Sequence, residues 1–300
     1  YPYYLIQGGG ASTQTFATVE DLLRSIRPGY YNFIHSHSFV VAERIPHNNP
    51  IPQWVQILQH LNVPSAYTAH SLDKYEAITC KWVSTALNYH LNWVGNELQP
   101  TMLNTSSVII QLTRTYKQLT DEMYPGSNYS TKTVIIPNGI DLRSITPRNR
   151  PPSEDINLLY VGRLERKKGM YELCIAFSEL LRKYPKLKLH IAGEGGPRTV
   201  GPEDDRRRKY EDFPAEAMRR ILRRLKVPND RYKFYGDIRG EQKEQLFAVA
   251  DFVIIPSYFE TFCLVGLEAI ARKRPLIATD VPALKEVYID TGLAYPIRIG

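Results

Sequence analysis

The sequence predicts an α/β protein made of two doubly wound, Rossmann-like domains. Three observations lead there. Short β-branched or aromatic runs alternate with longer helical patterns along the chain, as in βαβ units that build parallel sheets. The length of 300 residues corresponds to two domains of about 150 residues each. The stretch "TPRNRPPSED", Thr146 to Asp155, is rich in proline and charge and poor in side chains that pack, which marks a linker by composition.

In chain order, the first domain is expected over residues 1–145. Its strands are expected near Tyr3 to Ile6, Asn32 to His35, Ser65 to Thr68, Ser107 to Gln111 and Thr133 to Ile136, with helical stretches between them. "LIQGGGAST" lies too near "NFIHSHSF" to serve as a phosphate loop and reads as a surface loop. The Asn-Gly turn in "PNGID" ends the fifth strand. A linker over 146–156 leads to the second domain, 157–300. Its strands are expected near Asn157 to Val161, Lys188 to Ala192, Lys233 to Tyr235, Phe252 to Ile255 and Pro275 to Ala278. Its helices fall near Met170 to Lys183, Pro214 to Leu225, Gln242 to Ala250 and Phe262 to Arg272. The first domain is taken as incomplete at its start and the second as lacking its closing helices. Two such domains imply a cleft, with ligands at the carboxyl ends of the strands.

Apolar content of 43% and charged content of 23% describe an ordinary globular chain and exclude disorder and collagen-like order. No apolar run approaches the roughly 18 residues of a membrane span. The three cysteines, Cys80, Cys174 and Cys263, are far apart and show no CxxC spacing, which favours a reducing cytoplasm. A net charge of +7 and a pI near 9.1 suggest an anionic partner. The excess is concentrated over residues 206–226, in Arg206, Arg207, Arg208, Lys209, Arg219, Arg220, Arg223, Arg224 and Lys226. That segment reads as a solvated helix face, a peripheral contact with an anionic membrane, or a contact with an anionic acceptor. Nucleic acid is disfavoured, because no aromatic interleaving or groove-binding motif accompanies the charge.

Four strand ends of the second domain carry the chemistry. "YVGRLERKKGM" places Gly162 and Arg163 where the first strand stops, with Lys167 and Lys168 before Gly169. Glycine admits a close ligand, and Arg with Lys suits a pyrophosphate by fork and point charge. "HIAGEGGP" and "FYGDI" end the second and third strands in glycine-containing loops, with Gly193 and Gly236 at the same sheet edge. The fourth is "SYFETFCLVGLEAIARKRPLIATD". A helix starting near Phe262 would turn the free N–H groups of Phe262, Cys263 and Leu264 toward a phosphate. Glu260 then lies in the loop beyond it, and Glu268 roughly 7 to 8 Å further along the axis. Each carboxylate can accept two hydroxyl hydrogen bonds, which suits a sugar at either end of a pyrophosphate.

These segments, taken in order, resemble the retaining glycosyltransferases of the GT-B fold, and within them glycosyltransferase family four. "FETFCLVGLEA" is similar to the E-x7-E element, "VGRLERKKG" to the phosphate-binding strand end, "VIIPNGID" to the interdomain element and "SAYTAHSLDK" to the first-domain histidine loop. The resemblance runs from about residue 30 to residue 295. It implies two Rossmann-like domains facing across a cleft and transfer of a hexose from a nucleoside diphosphate sugar, UDP-linked, to an acceptor hydroxyl with retention. It implies no metal and no cofactor beyond the donor. Arg163 and Lys168 would hold the diphosphate and stabilise its departing charge. Glu260 would bind hydroxyls of the transferred sugar and Glu268 those of the ribose. Amides of Phe262, Cys263 and Leu264 would sit by sugar and phosphate, Gly162 and Gly193 by the donor, and Gly236 with Ile238 by the base. His70 would face the donor sugar. "IHSHS" with His37 would border the acceptor side, and Lys74 would meet an anionic acceptor. His35 and His37 by themselves make only two metal ligands and no site.

The chain also departs from that pattern. Cys263 stands where the family has Gly, Arg272 to Arg274 where it has small residues or Gly, and "VPALKE" where it has a Gly-Gly turn. A side chain at 263 would either narrow the choice of donor sugar or merely be tolerated. Two rival readings are a non-catalytic protein that keeps the nucleotide-sugar site, and a GT-B epimerase or phosphorylase. UDP calorimetry tests the first; sugar turnover without acceptor, or with free phosphate, tests the second.

Overall fold

The structure, a computed structural model, describes residues 3–7, 12–16, 21, 24–25, 32–37, 57–58, 60–70, 72–80, 95–96, 99–126, 128–145, 148–195 and 215–298. The chain divides into two compact units, Tyr1–Ala77 with Tyr89–Ile136 and Ile78–Asn88 with Pro137–Gly300.

In the first unit, β1 (Tyr3–Gln7) and β2 (Ser12–Phe16) pair antiparallel, with Tyr3 opposite Phe16 and Gln7 opposite Ser12. The strand expected near Tyr3 is therefore present but stands outside the parallel sheet. The segment read as a surface loop contributes strand residues at both of its ends, because a glycine cluster between two alternating runs is also a hairpin signal. The parallel sheet follows: β3 (Ile34–His37), β4 (Ser65–Ala69), β5 (Val108–Gln111) and β6 (Thr133–Ile135), ordered β3-β4-β5-β6. All five residues of β4 are buried, as a parallel strand with a neighbour on each side requires. Helices α1 (Asp73–Thr79), α2 (Gln99–Thr105) and α3 (Arg114–Met123) belong to the connections. Thr113 caps α3 by accepting from the Tyr116 amide, the usual way a hydroxyl satisfies a free N–H at a helix start. Tyr116 and Thr120 form its buried side.

The second unit holds β7 (Ile156–Val161), β8 (Leu187–Ala192), β9 (Tyr232–Gly236), β10 (Phe252–Ile255), β11 (Leu276–Thr279) and β12 (Ala294–Ile297). The order is β12-β11-β10-β7-β8-β9, all parallel. The chain therefore winds outward from β7 to β9 and then returns to the other side of β7 with β10. That reversal between β7 and β10 is the switch point at which open parallel sheets bind ligands. Helices α4 (Met170–Lys183), α5 (Ala215–Arg224), α6 (Gly240–Val249) and α7 (Leu264–Ala271) cover the sheet. Alternation along β7 divides the core. Leu158 and Tyr160 pack with Phe177 of α4 and Leu222 of α5, whereas Leu159 packs with Phe247 of α6 and Ala269 of α7. A period of two sends successive side chains to opposite faces, so a strand covered on both faces is apolar throughout. Among the described residues, no helix is long and apolar enough to cross a membrane.

The stretch read as a linker is tied to this second unit. Arg150 grips Asp251 at 2.5 Å, Arg148 meets Glu241 at 2.7 Å and Asp155 meets Arg231 at 2.9 Å. Residues too polar to enter a core still dock by ion pairs along its edge, and composition does not distinguish the two cases.

One buried polar group in the sheet makes stability depend on pH. His190 of β8 hydrogen-bonds Tyr235 through Nδ1 at 2.7 Å and Asn157 Oδ1 through Nε2 at 2.9 Å. The Asn157 amide nitrogen donates to Ser153 and to the Asp155 carbonyl, so its oxygen is left to accept from His190 Nε2–H. The Tyr235 hydroxyl then donates to Nδ1, and a second ring proton would have to turn that donor away. Burial, with Lys188 and Lys233 nearby, lowers the His190 pKa from 6.5 to about 4. Between those values the unfolded chain binds a proton that the folded chain refuses. Stability is thus full above pH 6.5 and falls as pH drops toward 4. The expected loss is about 2 kcal/mol between pH 7 and pH 5. Urea titrations at the two pH values measure it, and His190→Gln should flatten the dependence; an unchanged slope in that variant would remove His190 as the cause.

Candidate active site

The site forms where β7 and β10 end. Gly162 donates its amide to the Ala192 carbonyl at 2.9 Å and Gly193 to the Gly236 carbonyl at 2.7 Å. The three strand-end glycines therefore lie in a row across β7, β8 and β9. A Cβ on Gly193, whose φ is +133°, would fall 1.8 Å from the Gly162 carbonyl oxygen, so any side chain there would force the strand ends apart. Tyr160 is buried beneath this corner and donates its hydroxyl to the Arg163 carbonyl at 2.7 Å. Burial, first, and the nearby Glu260 and Glu165 hold that phenol well above its ordinary pKa, which keeps it protonated and donating.

After Arg163 the chain makes a 3₁₀ turn, Arg166–Lys168, closed by Gly169 in the left-handed region. A Cβ on Gly169 would lie 2.0 Å from the Pro256 carbonyl oxygen. That close approach, with the Tyr258 amide donating to the Lys167 carbonyl at 2.8 Å, brings the basic turn against the loop after β10. Lys168 Nζ consequently meets Glu260 Oε1 at 2.7 Å, and Ser257 Oγ donates to the same oxygen at 2.8 Å. Arg163 is held by Glu165 at 2.5 Å.

A pocket of about 200 Å³ opens between these groups and the start of α7, lined by Tyr160, Val161, Gly162, Arg163, Lys168, Ile255, Ser257, Glu260, Cys263, Leu264 and Val265. Two cations, a carboxylate and a helix N-terminus thus converge at the switch point. The free N–H groups of that helix end favour an anionic group there.

Of the residues singled out from the sequence, the structure brings Gly162, Arg163, Lys168, Glu260, Cys263 and Leu264 into this pocket. The helix begins at Leu264 with Cys263 as its cap, two residues later than the pattern predicts. The cause is the left-handed turn at Cys263, φ +71°. Phe262 is buried and meets Tyr288 edge-on at 6.5 Å. Gly193 and Gly236 stand at the neighbouring strand ends. Ile238 lies in the core, so only its backbone is offered to a ligand. Glu268, one turn inside α7, is paired with Lys243 of α6 at 2.6 Å.

In the first unit, His70 follows β4 and is half-buried. His37 ends β3, and its side chain lies outside the described residues. Lys74 donates to the Met123 carbonyl at 3.2 Å and sits 5.5 Å over the Tyr124 ring. Of the basic segment, Arg206 to Lys209 lie outside the described residues. On α5, Arg219 stacks 4.5 Å over Phe234 and Arg223 pairs with Glu216, while Arg220, Arg224 and Lys226 are exposed.

Sequence reasoning missed Tyr160, Ser257, Glu165, Lys243 and Tyr288. Ser257 carried a signal, being the first polar residue after β10 and three positions before Glu260. Lys243 and Tyr288 act from twenty-five residues away and had none, while Tyr160 and Glu165 meet Arg163 within three residues. Cys263 and Lys273 both adopt positive φ, +71° and +57°, where glycine is unstrained. Arg272 is buried because it forms a two-pronged pair with Glu244 and stacks 4.6 Å over Phe247.

Among solved structures, the chain is similar to sucrose-phosphate synthase from Thermosynechococcus elongatus, with a TM-score of 0.67 at 22% identity, covering 93% of this chain and 64% of that one. It is also similar to Alr3699/HepE of Anabaena, solved with UDP-glucose, with a TM-score of 0.64 at 17% identity, covering 94% and 68%. These likenesses place the chain in the GT-B fold class. In sequence it is 30% identical over 276 residues to a glycogen synthase of Mycobacterium tuberculosis, spanning 90% of this chain and 57% of that protein. It is 27% identical over 293 residues to a D-inositol 3-phosphate glycosyltransferase of Nocardia farcinica, spanning 92% and 58%. The chain thus covers little more than half the length of those two relatives. Residues 143–296, which contain the whole pocket, match the family described as glycosyl transferases group 1, and the chain belongs to that family.

Proposed function

We propose that the chain transfers a hexose from a nucleoside diphosphate sugar, UDP-linked, to an acceptor hydroxyl, with retention and without a metal ion. The observation that carries this reading is the pocket at the β7/β10 switch point, where Arg163, Lys168 and Glu260 meet the start of α7. A diphosphate is the ligand whose charge and size suit two cations beside a helix N-terminus. Arg163 and Lys168 take its oxygens, assisted by the amides of Leu264 and Val265. Glu260, oriented by Ser257, accepts from hydroxyls of the hexose, and Glu268 from those of the ribose. Gly193, Gly236 and the Ile238 backbone border the base.

In the reaction the bond from the anomeric carbon to the diphosphate oxygen breaks and its electron pair leaves on the diphosphate. The acceptor oxygen bonds to that carbon on the same face, and its proton passes to the departing diphosphate oxygen. The departing oxygen gains negative charge as the bond lengthens, and fixed cations stabilise that state more than the ground state. The relatives' names, glycogen synthase and D-inositol 3-phosphate glycosyltransferase, fit polyhydroxylated acceptors.

A donor screen that measures released nucleoside diphosphate tests the reading. A UDP-hexose should be consumed in the presence of EDTA, and the product should keep the anomeric configuration of the donor by NMR. No release from any donor, together with no heat of binding for millimolar UDP, would defeat it.

A further inference from the structure

The turn that starts α7 places a residue with a side chain in the left-handed region, Cys263 at φ +71° and ψ 88°. Such a conformation is strained for any residue bearing a Cβ and persists only where its surroundings hold it. Cys263 is also a wall of the pocket, beside Lys168 and Glu260, so whatever holds it also sets the shape of the site.

Two donors converge on its carbonyl oxygen. The Gly266 amide reaches it at 3.1 Å within the turn, and the hydroxyl of Tyr288, twenty-five residues away, reaches it at 2.6 Å. Tyr288 is fully buried. Its ring lies against Gly266 so closely that a Cβ there would come within 2.4 Å of a ring carbon, and it meets Phe262 edge-on. One side chain therefore contacts the residue before Cys263, the residue three after it, and the Cys263 carbonyl between them. Tyr288 stands outside the pocket.

We propose that Tyr288 is a positioning residue, a latch whose hydroxyl holds Cys263 left-handed and thereby aims the first amides of α7 into the pocket. This rests on the reading of the pocket as the donor site. Without the hydroxyl, Cys263 is free to relax toward negative φ, which rotates the peptide planes that carry the Leu264 and Val265 N–H groups. With glycine at 263 the left-handed turn is unstrained, and the latch has nothing left to hold.

A double-mutant cycle tests the coupling. Tyr288→Phe is expected to raise the KM for the nucleotide sugar about tenfold while kcat stays within about threefold. In a Cys263→Gly background the same change should alter KM less than about twofold. An equal rise in both backgrounds makes Tyr288 a packing residue and overturns the latch, as does an unchanged KM in Tyr288→Phe.

A second measurement is independent of transfer. Alkylation of Cys263 by iodoacetamide, mapped by mass spectrometry, should be at least about fivefold faster in Tyr288→Phe, because the released turn exposes the thiol. Cys80 and Cys174, both buried, should keep their rates and so report an intact fold. Gly266→Ala, which drives a methyl into the Tyr288 ring, should accelerate Cys263 in the same way. Unchanged labelling in both variants overturns the latch whatever the chain transfers. Faster labelling in a chain that releases no nucleoside diphosphate supports the latch and removes the donor reading alone.

Discussion

Lys168→Ala is expected to lower kcat for sugar transfer by at least about 100-fold, the effect of removing one fixed donor from a site of developing charge. Lys168 Nζ lies 2.7 Å from Glu260 Oε1, and both side chains are largely buried. In the proposed reaction the ammonium serves two groups, the departing diphosphate and the carboxylate that binds the sugar. Its loss strips the diphosphate of a cation and leaves that Glu260 oxygen with the Ser257 hydroxyl. A carboxylate buried without its counter-ion is destabilised in its charged form, so the alanine variant should suffer in sugar binding as well as in chemistry. Lys168→Arg keeps the charge but changes a point charge into a planar fork, and an intermediate rate is expected. Steady-state release of nucleoside diphosphate measures all three chains. An alanine variant within about threefold of the parent would show that Lys168 lies away from the reacting group.

Glu268→Ala is expected to raise the donor KM about 30-fold, or about 2 kcal/mol, with kcat nearly retained, as loss of hydrogen bonds made equally in ground and transition states requires. The carboxylate has one oxygen on Lys243 at 2.6 Å. The other, Oε2, is buried with no partner among the described residues, and a buried acceptor left open in a native protein calls for a group that completes it. Ribose hydroxyls supply such a group in the proposed complex. Glu268 and Lys243 are both about a fifth to a quarter exposed, so separating them should cost less than about 1 kcal/mol of stability. The signature is therefore a large change in KM beside a small change in Tm. A parallel fall in both would make Glu268 a structural partner of Lys243 and nothing more.

Much of the fold was legible because it rests on local signals. The ten predicted strands of both domains appear in the structure within a residue or two, since β-branched runs and their period of two do not depend on distant contacts. The sheet edge that carries Gly162, Gly193 and Gly236 was legible for the same reason: residues that follow parallel strands emerge on one side. The exceptions have local causes too. Near Tyr3 a hairpin stands where a parallel strand was expected, because pairing direction is not written in the strand itself. Near Phe262 the helix starts late, because the left-handed turn at Cys263 interrupts it, and nothing in a cysteine announces positive φ.

The sequence by itself determined the α/β class, the order of the ten strands read from it, and the strand ends at which Arg163, Lys168 and Glu260 emerge; β2 and β12 were not among those strands. These follow from side-chain size, branching and spacing, properties each residue brings with it. Only the tertiary structure decided who meets whom. It set Lys168 on Glu260 across 92 residues, Arg163 on Glu165, Lys243 on Glu268, and the Tyr288 hydroxyl on the Cys263 carbonyl. It also turned a stretch composed like a linker into an edge docked by ion pairs. Such pairings arise from backbone dihedrals and close packing summed along the whole chain, where a single left-handed turn redirects every group that follows it.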